Sequence, residues 1–163
     1  MKKVLFGLLF LVLIDSQMAL AKSMDKKIRI TTTSYKEIVV KDKKGKKITK
    51  WVKPTKVVPK DIIKYVNTII NDSNKTLENV KVINPINKNL EYIANSAKSK
   101  VAFKVKYSVD NAKSFHEAQK LFIKDKNSKK RLAKAKEYNA IEFIVPKVLP
   151  HSKVDISYKV KIK

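Results

Sequence analysis

The chain of 163 residues contains no cysteine. That excludes disulfide scaffolds, thiol nucleophiles, cysteine-ligated zinc, iron–sulfur clusters and a lipid-modified N-terminal cysteine. Its only glycines are Gly7 and Gly45, so no Gly-x-Gly phosphate loop can be written anywhere. Acidic residues are scarce: 14 Asp and Glu stand against 38 Lys and Arg, a net charge of +24. Arginine is scarce too, with Arg29 and Arg131 alone. Lysine acts as a point charge, whereas base-specific recognition relies on the bidentate fork of arginine, so sequence-specific nucleic-acid binding is disfavoured. Trp51 is the only tryptophan, too few for a row of base-stacking aromatics. The two histidines, His116 and His151, fall in turn-like contexts far apart and read as exposed loop residues. No nucleophile elbow, His-Glu-x-x-His helix, carboxylate-rich calcium loop or cofactor motif is present, so an enzyme is not expected.

What is there begins with an address. Lys2 and Lys3 precede an apolar run over residues 4–14, then Asp15, Ser16 and Gln17, then the small-x-small site Ala19-Leu20-Ala21. An apolar helix over residues 4–14 reaches roughly 16 Å, well short of the roughly 30 Å hydrocarbon core of a membrane. The pattern is that of a secretory signal peptide, residues 1–21, cleaved near Ala21-Lys22. No later segment reads as a membrane span, so the mature chain is expected to be soluble, in the periplasm or outside the cell.

Period-two alternation dominates the rest. Val154, Ile156, Tyr158, Val160 and Ile162 alternate with Asp155, Ser157, Lys159, Lys161 and Lys163. Side chains on a strand point to opposite faces, so this is a half-buried strand. Residues 101–109 alternate in the same way, and further β-rich runs cover 28–33, 35–40, 48–52, 62–70, 77–83, 121–123 and 140–145. Turn signals separate them, among them Asp42-Lys43-Lys44-Gly45, Asp72-Ser73-Asn74 and Asp110-Asn111. Short strands at this spacing predict an antiparallel sandwich. Residues 128–138 are expected to be a loop with at most one helical turn. The run 62–70 is apolar on both faces, which suggests that a hairpin formed by residues 26–53 folds over it.

From Val57 onward the order of motifs resembles a known family. Val58-Pro59-Lys60-Asp61 leads to Tyr65 and Asn71-Asp72, then Asn79-Val80-Lys81-Val82 runs into Asn84-Pro85-Ile86. Leu90-Glu91-Tyr92, Ser96-Ala97, the segment 107–115, Glu137-Tyr138 and Leu149-Pro150-His151-Ser152 follow in order. This is similar to the conserved-repeat domain of bacterial surface and secreted proteins, domain-of-unknown-function family eleven. The resemblance implies an immunoglobulin-like β-sandwich of the cell envelope, in a family without established catalytic residues. The whole then reads as an all-β, antiparallel immunoglobulin-like sandwich over residues 57–163, with residues 22–56 as an N-terminal strand and basic β-hairpin extension.

Departures from the family pattern carry their own expectations. Lys60, Asn111, Ala112 and His151 stand where the family has glycine. Asn111 tolerates positive φ, but Lys60, Ala112 and His151 do so only at a cost, so those turns are expected to change type. Asn67 occupies an inward position that is usually apolar, and its amide needs a backbone or water partner.

Two basic clusters are the candidate binding residues. One is Lys41, Lys43, Lys44, Lys46 and Lys47; the other is Lys124, Lys126, Lys129, Lys130, Arg131, Lys134 and Lys136. Either they are solvated hairpin tips and the charge reflects codon bias, or they bind anionic envelope polymers such as lipopolysaccharide, acidic glycan or extracellular DNA. Such binding would be sequence-blind and salt-sensitive. Asn74, in Asp72-Ser73-Asn74-Lys75-Thr76, is similar to a bacterial glycosylation acceptor. The leading expectation is a non-catalytic structural or protein-interaction module with an envelope protein as partner; the oligomeric state is left open. Assembly by strand pairing would need an uncovered sheet edge, for which the stretch 27–33 is a candidate.

Overall fold

The computed structural model describes residues 27–163. The expected signal peptide and its cleavage point lie outside them. The described residues form eleven strands: β1 (Ile28–Lys41), β2 (Lys47–Val52), β3 (Ile62–Asn71), β4 (Leu77–Pro85), β5 (Leu90–Tyr92), β6 (Lys98–Ser99), β7 (Lys104–Ser108), β8 (Phe122–Lys124), β9 (Lys130–Leu132), β10 (Ala140–Val148) and β11 (Ser152–Ile162). The larger sheet has the order β2-β1-β3-β11-β5, with β6 also on β11, and the smaller the order β4-β10-β7. All pairings are antiparallel. The two sheets pack together as a β-sandwich, and β1–β2 form the expected N-terminal hairpin. Among the described residues no helix is long and apolar enough to cross a membrane.

The alternation seen in the sequence fills the space between the sheets. Ile63 and Ile69 of β3 and Val154, Ile156, Tyr158 and Val160 of β11 meet Ile141, Phe143, Val145 and Val148 of β10. Burying aliphatic side chains of this size stabilises by about 1.5–3 kcal/mol each. Aromatics close one end of the core: Tyr107 stacks on Tyr138 with centroids 4.4 Å apart, and Tyr92 lies 5.5 Å from Tyr107. At the other end Asn71 is fully buried. Its Nδ2 donates to the carbonyls of Lys75, Val148 and Leu149, and its Oδ1 accepts from Ser73. One amide thereby ties the β3–β4 turn to the β10–β11 turn, which is why a polar residue is tolerated there.

Several expectations need correction. Residues 28–41 form one strand rather than two, and β7 occupies only 104–108 of the run 101–109. Residues 130–132 are a strand, followed by the anticipated single helical turn at Ala135–Glu137. The N-terminal hairpin does not fold over the second face of β3. It pairs edge-on with β3, Ile28 opposite Asn71 and Lys36 opposite Ile63, and widens the sheet.

The turn positions expected to change type have a left-handed backbone, as does Asn111: Lys60 has φ 75°, Asn111 60°, Ala112 64° and His151 50°. Neighbouring hydrogen bonds hold them. Ser108 Oγ accepts the Ala112 N–H, and the amide of Asn139 pairs with both the N–H and side chain of Asn111. Asp61 accepts the Val58 N–H across Pro59-Lys60 and is itself held by Lys36 at 2.7 Å. Asn67 is fully buried; its Oδ1 accepts from the Thr32 hydroxyl, and its Nδ2 has no protein partner among the described residues.

Candidate interaction surfaces

The two basic hairpins are built on the same loop. Asp42 Oδ1 accepts the N–H groups of Lys44 and Lys46, and Asp125 Oδ1 accepts those of Asn127 and Lys129. In each the fourth loop residue is left-handed, Gly45 at φ 76° and Ser128 at φ 59°. This is the type I turn with a bulge that closes short hairpins, and each aspartate is spent on the loop's own backbone. Lys41, Lys43, Lys44, Lys46 and Lys47 at the first tip are exposed, as are Lys124, Lys126, Lys129, Lys130, Lys134 and Lys136 at the second.

Arg131 differs from the rest of its cluster. Its guanidinium is engaged bidentately by Glu137, at 2.8 and 2.6 Å. Those bonds, with the Lys134 N–H, hold the Glu137 carboxyl down at about 2. Arg131 is thus committed within the fold instead of being displayed. The two clusters do not merge. The first hangs from β1–β2 at one edge of the larger sheet; the second leads into the turn Ala135–Glu137, which packs on β5 at the opposite edge.

Asn74 is exposed in the β3–β4 turn, and its Oδ1 meets His151 Nε2 at 2.7 Å. His116 is exposed and its backbone bridges to Tyr107. Among the described residues no group of three His, Cys, Asp or Glu is placed to hold a metal ion.

The most distinctive surface lies on β1. Its residues 28–36 pair with β3 on one side, while β2 covers only residues 36–41 on the other. Among the described residues, the edge of residues 28–35 facing away from β3 therefore has no partner strand. Register shows which groups it presents. The Lys27 carbonyl accepts the Asp72 N–H on the β3 side, and the Asp42 N–H donates to Lys46 on the β2 side. N–H and C=O directions alternate along a strand. Ile28, Ile30, Thr32 and Ser34 consequently direct their backbone groups at the free edge. Their side chains face inward, on the same side as Asn71, Ile69, Asn67 and Tyr65. The smaller sheet does not reach that far, and Ile28 and Ile30 stay 50% and 46% exposed.

Edges of this kind are usually guarded by lysine, proline or a bulge. This stretch has none of them: Ile28-Arg29-Ile30-Thr31-Thr32-Thr33-Ser34-Tyr35 carries one charge, and Arg29 is paired with Asp72 at 2.9 Å. The sequence named the stretch 27–33 but could not show which side would be bare.

Trp51 packs on the sandwich, on the outer face of the larger sheet. Lys64 Nζ lies 4.5 Å and Lys159 Nζ 4.9 Å from its ring centroid. Sequence reasoning missed this cluster, because only the register of β3 with β11 brings those two lysines together. No family model, curated protein or solved structure matches the chain.

Proposed function

We propose that the chain is an exported, immunoglobulin-like module of the conserved-repeat kind that works without catalysis, docking to an envelope protein by strand addition along β1. The observation that carries this reading is the free edge of residues 28–35, which offers four N–H and C=O sets beside half-exposed Ile28 and Ile30. A strand added there gains main-chain hydrogen bonds, and its alternate side chains cover the isoleucines. Export is supported by the pattern of residues 1–21, and the family reading by the motif order from Val57.

The rival reading, polyanion capture through the lysine tips, draws less support. The first tip closes β1–β2 of the larger sheet and the second closes the separate pair β8–β9, and Arg131 is bound to Glu137.

The two readings separate in a capture experiment. Ile30→Pro removes an N–H that points at the free edge and replaces the half-exposed side chain beside it, so both features of the docking edge are altered, and proline is tolerated on edge strands. Envelope extract is passed over the wild-type protein and over Ile30→Pro, then washed up to about 0.5 M salt, where surface charge is largely screened. A protein retained by the wild type at high salt and lost with Ile30→Pro is the expected result. Equal retention by both proteins, or retention that vanishes with salt in both, refutes strand addition.

A further inference from the structure

The outer face of the larger sheet holds a feature that strand addition does not use. Lys64 of β3 stands directly opposite Lys159 of β11. Like charges in that position destabilise a sheet. Here both ammonium groups converge on one ring, 4.5 and 4.9 Å from the Trp51 centroid, and Lys64 also lies 5.3 Å from Tyr35. The electron-rich ring face attracts each cation and fixes its place. It cannot neutralise them, and neither lysine has a carboxylate partner among the described residues.

Lys64 also borders an open groove of about 290 Å³ with Lys98, Lys100, Ser99, Ser157 and Asp155. Past Ser99 and Lys100 a second depression of about 230 Å³ adds Lys153. The positive groups thus follow the direction of β11 from Lys159 to Lys153, a length of roughly 20 Å at about 3.4 Å per residue. The rows between them carry hydroxyls: Thr33 beside Val66 and Ser157, and Thr31 beside Thr68 and Asp155. Asp155 accepts the Thr68 hydroxyl at 2.6 Å, and Glu37 lies opposite Trp51 on β1.

We propose that this face binds a linear acidic polysaccharide, with uronic-acid carboxylates seated on Lys64 and Lys159 and along Lys98, Lys100 and Lys153. Spaced carboxylates suit spaced lysines, and the sugar hydroxyls between them find Ser157, the threonines and the Asp155 carboxylate. A nucleic acid fits less well. Base stacking needs open aromatic faces in succession, whereas Lys64 and Lys159 already sit on Trp51. Asp155 would also oppose a continuous phosphodiester charge. In this site Trp51 and Tyr35 position the cations.

Trp51, as the only tryptophan, reports the site directly. Its fluorescence is titrated at low salt with oligogalacturonate, with the fully methyl-esterified oligomer, and with single-stranded oligo-dT. A saturable change with oligogalacturonate, absent with the ester, is the expected result. Lys64→Gln/Lys159→Gln weakens that binding at least tenfold, whereas Lys43→Gln/Lys44→Gln at the first tip leaves it within about twofold. The Lys64/Lys159 variant should also melt no lower than the wild type, because a like-charge pair is gone; that separates loss of binding from loss of fold. The proposal is overturned if oligogalacturonate gives no saturable change. It is equally overturned if the tip variant loses as much as the Lys64/Lys159 variant, or if oligo-dT binds more tightly. Because the site uses the outer face and not the β1 edge, Ile30→Pro should leave it intact.

Discussion

The Thr32 hydroxyl donates to the Oδ1 of Asn67 at 2.8 Å, joining the first strand to an amide fully buried in β3. This bond anchors the middle of the bare edge, because Thr32 is one of the residues whose backbone groups face away from β3. It also explains how a polar side chain occupies an apolar position: one end of the amide is paired and the other, Nδ2, is not.

That half-satisfied amide gives a signed double-mutant cycle. Thr32→Val strands the Asn67 oxygen and should cost about 1–2 kcal/mol in denaturant unfolding. Adding Asn67→Leu removes both polar partners and the unpaired Nδ2. The double variant should return to within about 0.5 kcal/mol of the wild type or exceed it. A double variant no better than Thr32→Val would show that the amide has another role.

The left-handed turns predict stabilisation by glycine. Ala112, at φ 64°, has its N–H held by Ser108, so Ala112→Gly relieves backbone strain without losing that bond. A gain of about 1 kcal/mol is expected there, and a similar gain for Lys60→Gly at φ 75°. Thermal melts of the single variants check both.

Below neutral pH the Arg131–Glu137 pair sets a window. Hydrogen bonds from Arg131 depress the Glu137 carboxyl to about 2, below its ordinary value of about 4.3. A group whose folded value is depressed contributes stability above its unfolded value, and this is lost as pH falls through the folded one. Carboxyl-detected NMR should place the Glu137 midpoint near 2 in the wild type. In Arg131→Gln the midpoint should move up toward the ordinary range.

The tyrosines set the alkaline limit. Burial, with the Tyr92 hydroxyl at 3.4 Å, pushes Tyr107 well above the usual phenol range, and burial does the same for Tyr158. Folded values above the unfolded value of about 10 mean stability that is complete below pH 10 and drains as pH rises beyond it. Absorbance at alkaline pH should show Tyr107 and Tyr158 ionising only with unfolding. Replacing either with Phe should remove its share of that alkaline loss.

How much of this was legible in the sequence follows from what alternation can encode. The period of two in residues 154–162 reports which side chains enter the core, and β11 buries Val154, Ile156, Tyr158 and Val160. It says nothing of which strand lies beside which. The Lys64–Lys159 pair depends on the register of β3 with β11 and could not be read; the stretch 27–33 could be named as a candidate edge, but which side is bare depends on β2 being shorter than β1. The turns were misjudged for a related reason. Local cost argues against Lys60, Ala112 and His151 at positive φ, yet Ala112 is held by Ser108 and the turn around Lys60 by Asp61 and Lys36. Those partners are tertiary in part, and the local rule does not see them. The first Lys-rich loop was legible because Asp42 and Gly45 act within four residues, whereas the second was not: residues 130–132, expected as loop, pair as a strand.

Amide hydrogen exchange along β1 tests strand addition with its own internal control. In the isolated protein Ile28, Ile30, Thr32 and Ser34 should exchange fast, whereas Arg29, Thr31, Thr33 and Tyr35, bonded to β3, should be slow. In the complex recovered from envelope extract all eight should be slow. Even-numbered amides that stay fast in the complex would contradict strand addition and move the docking site elsewhere.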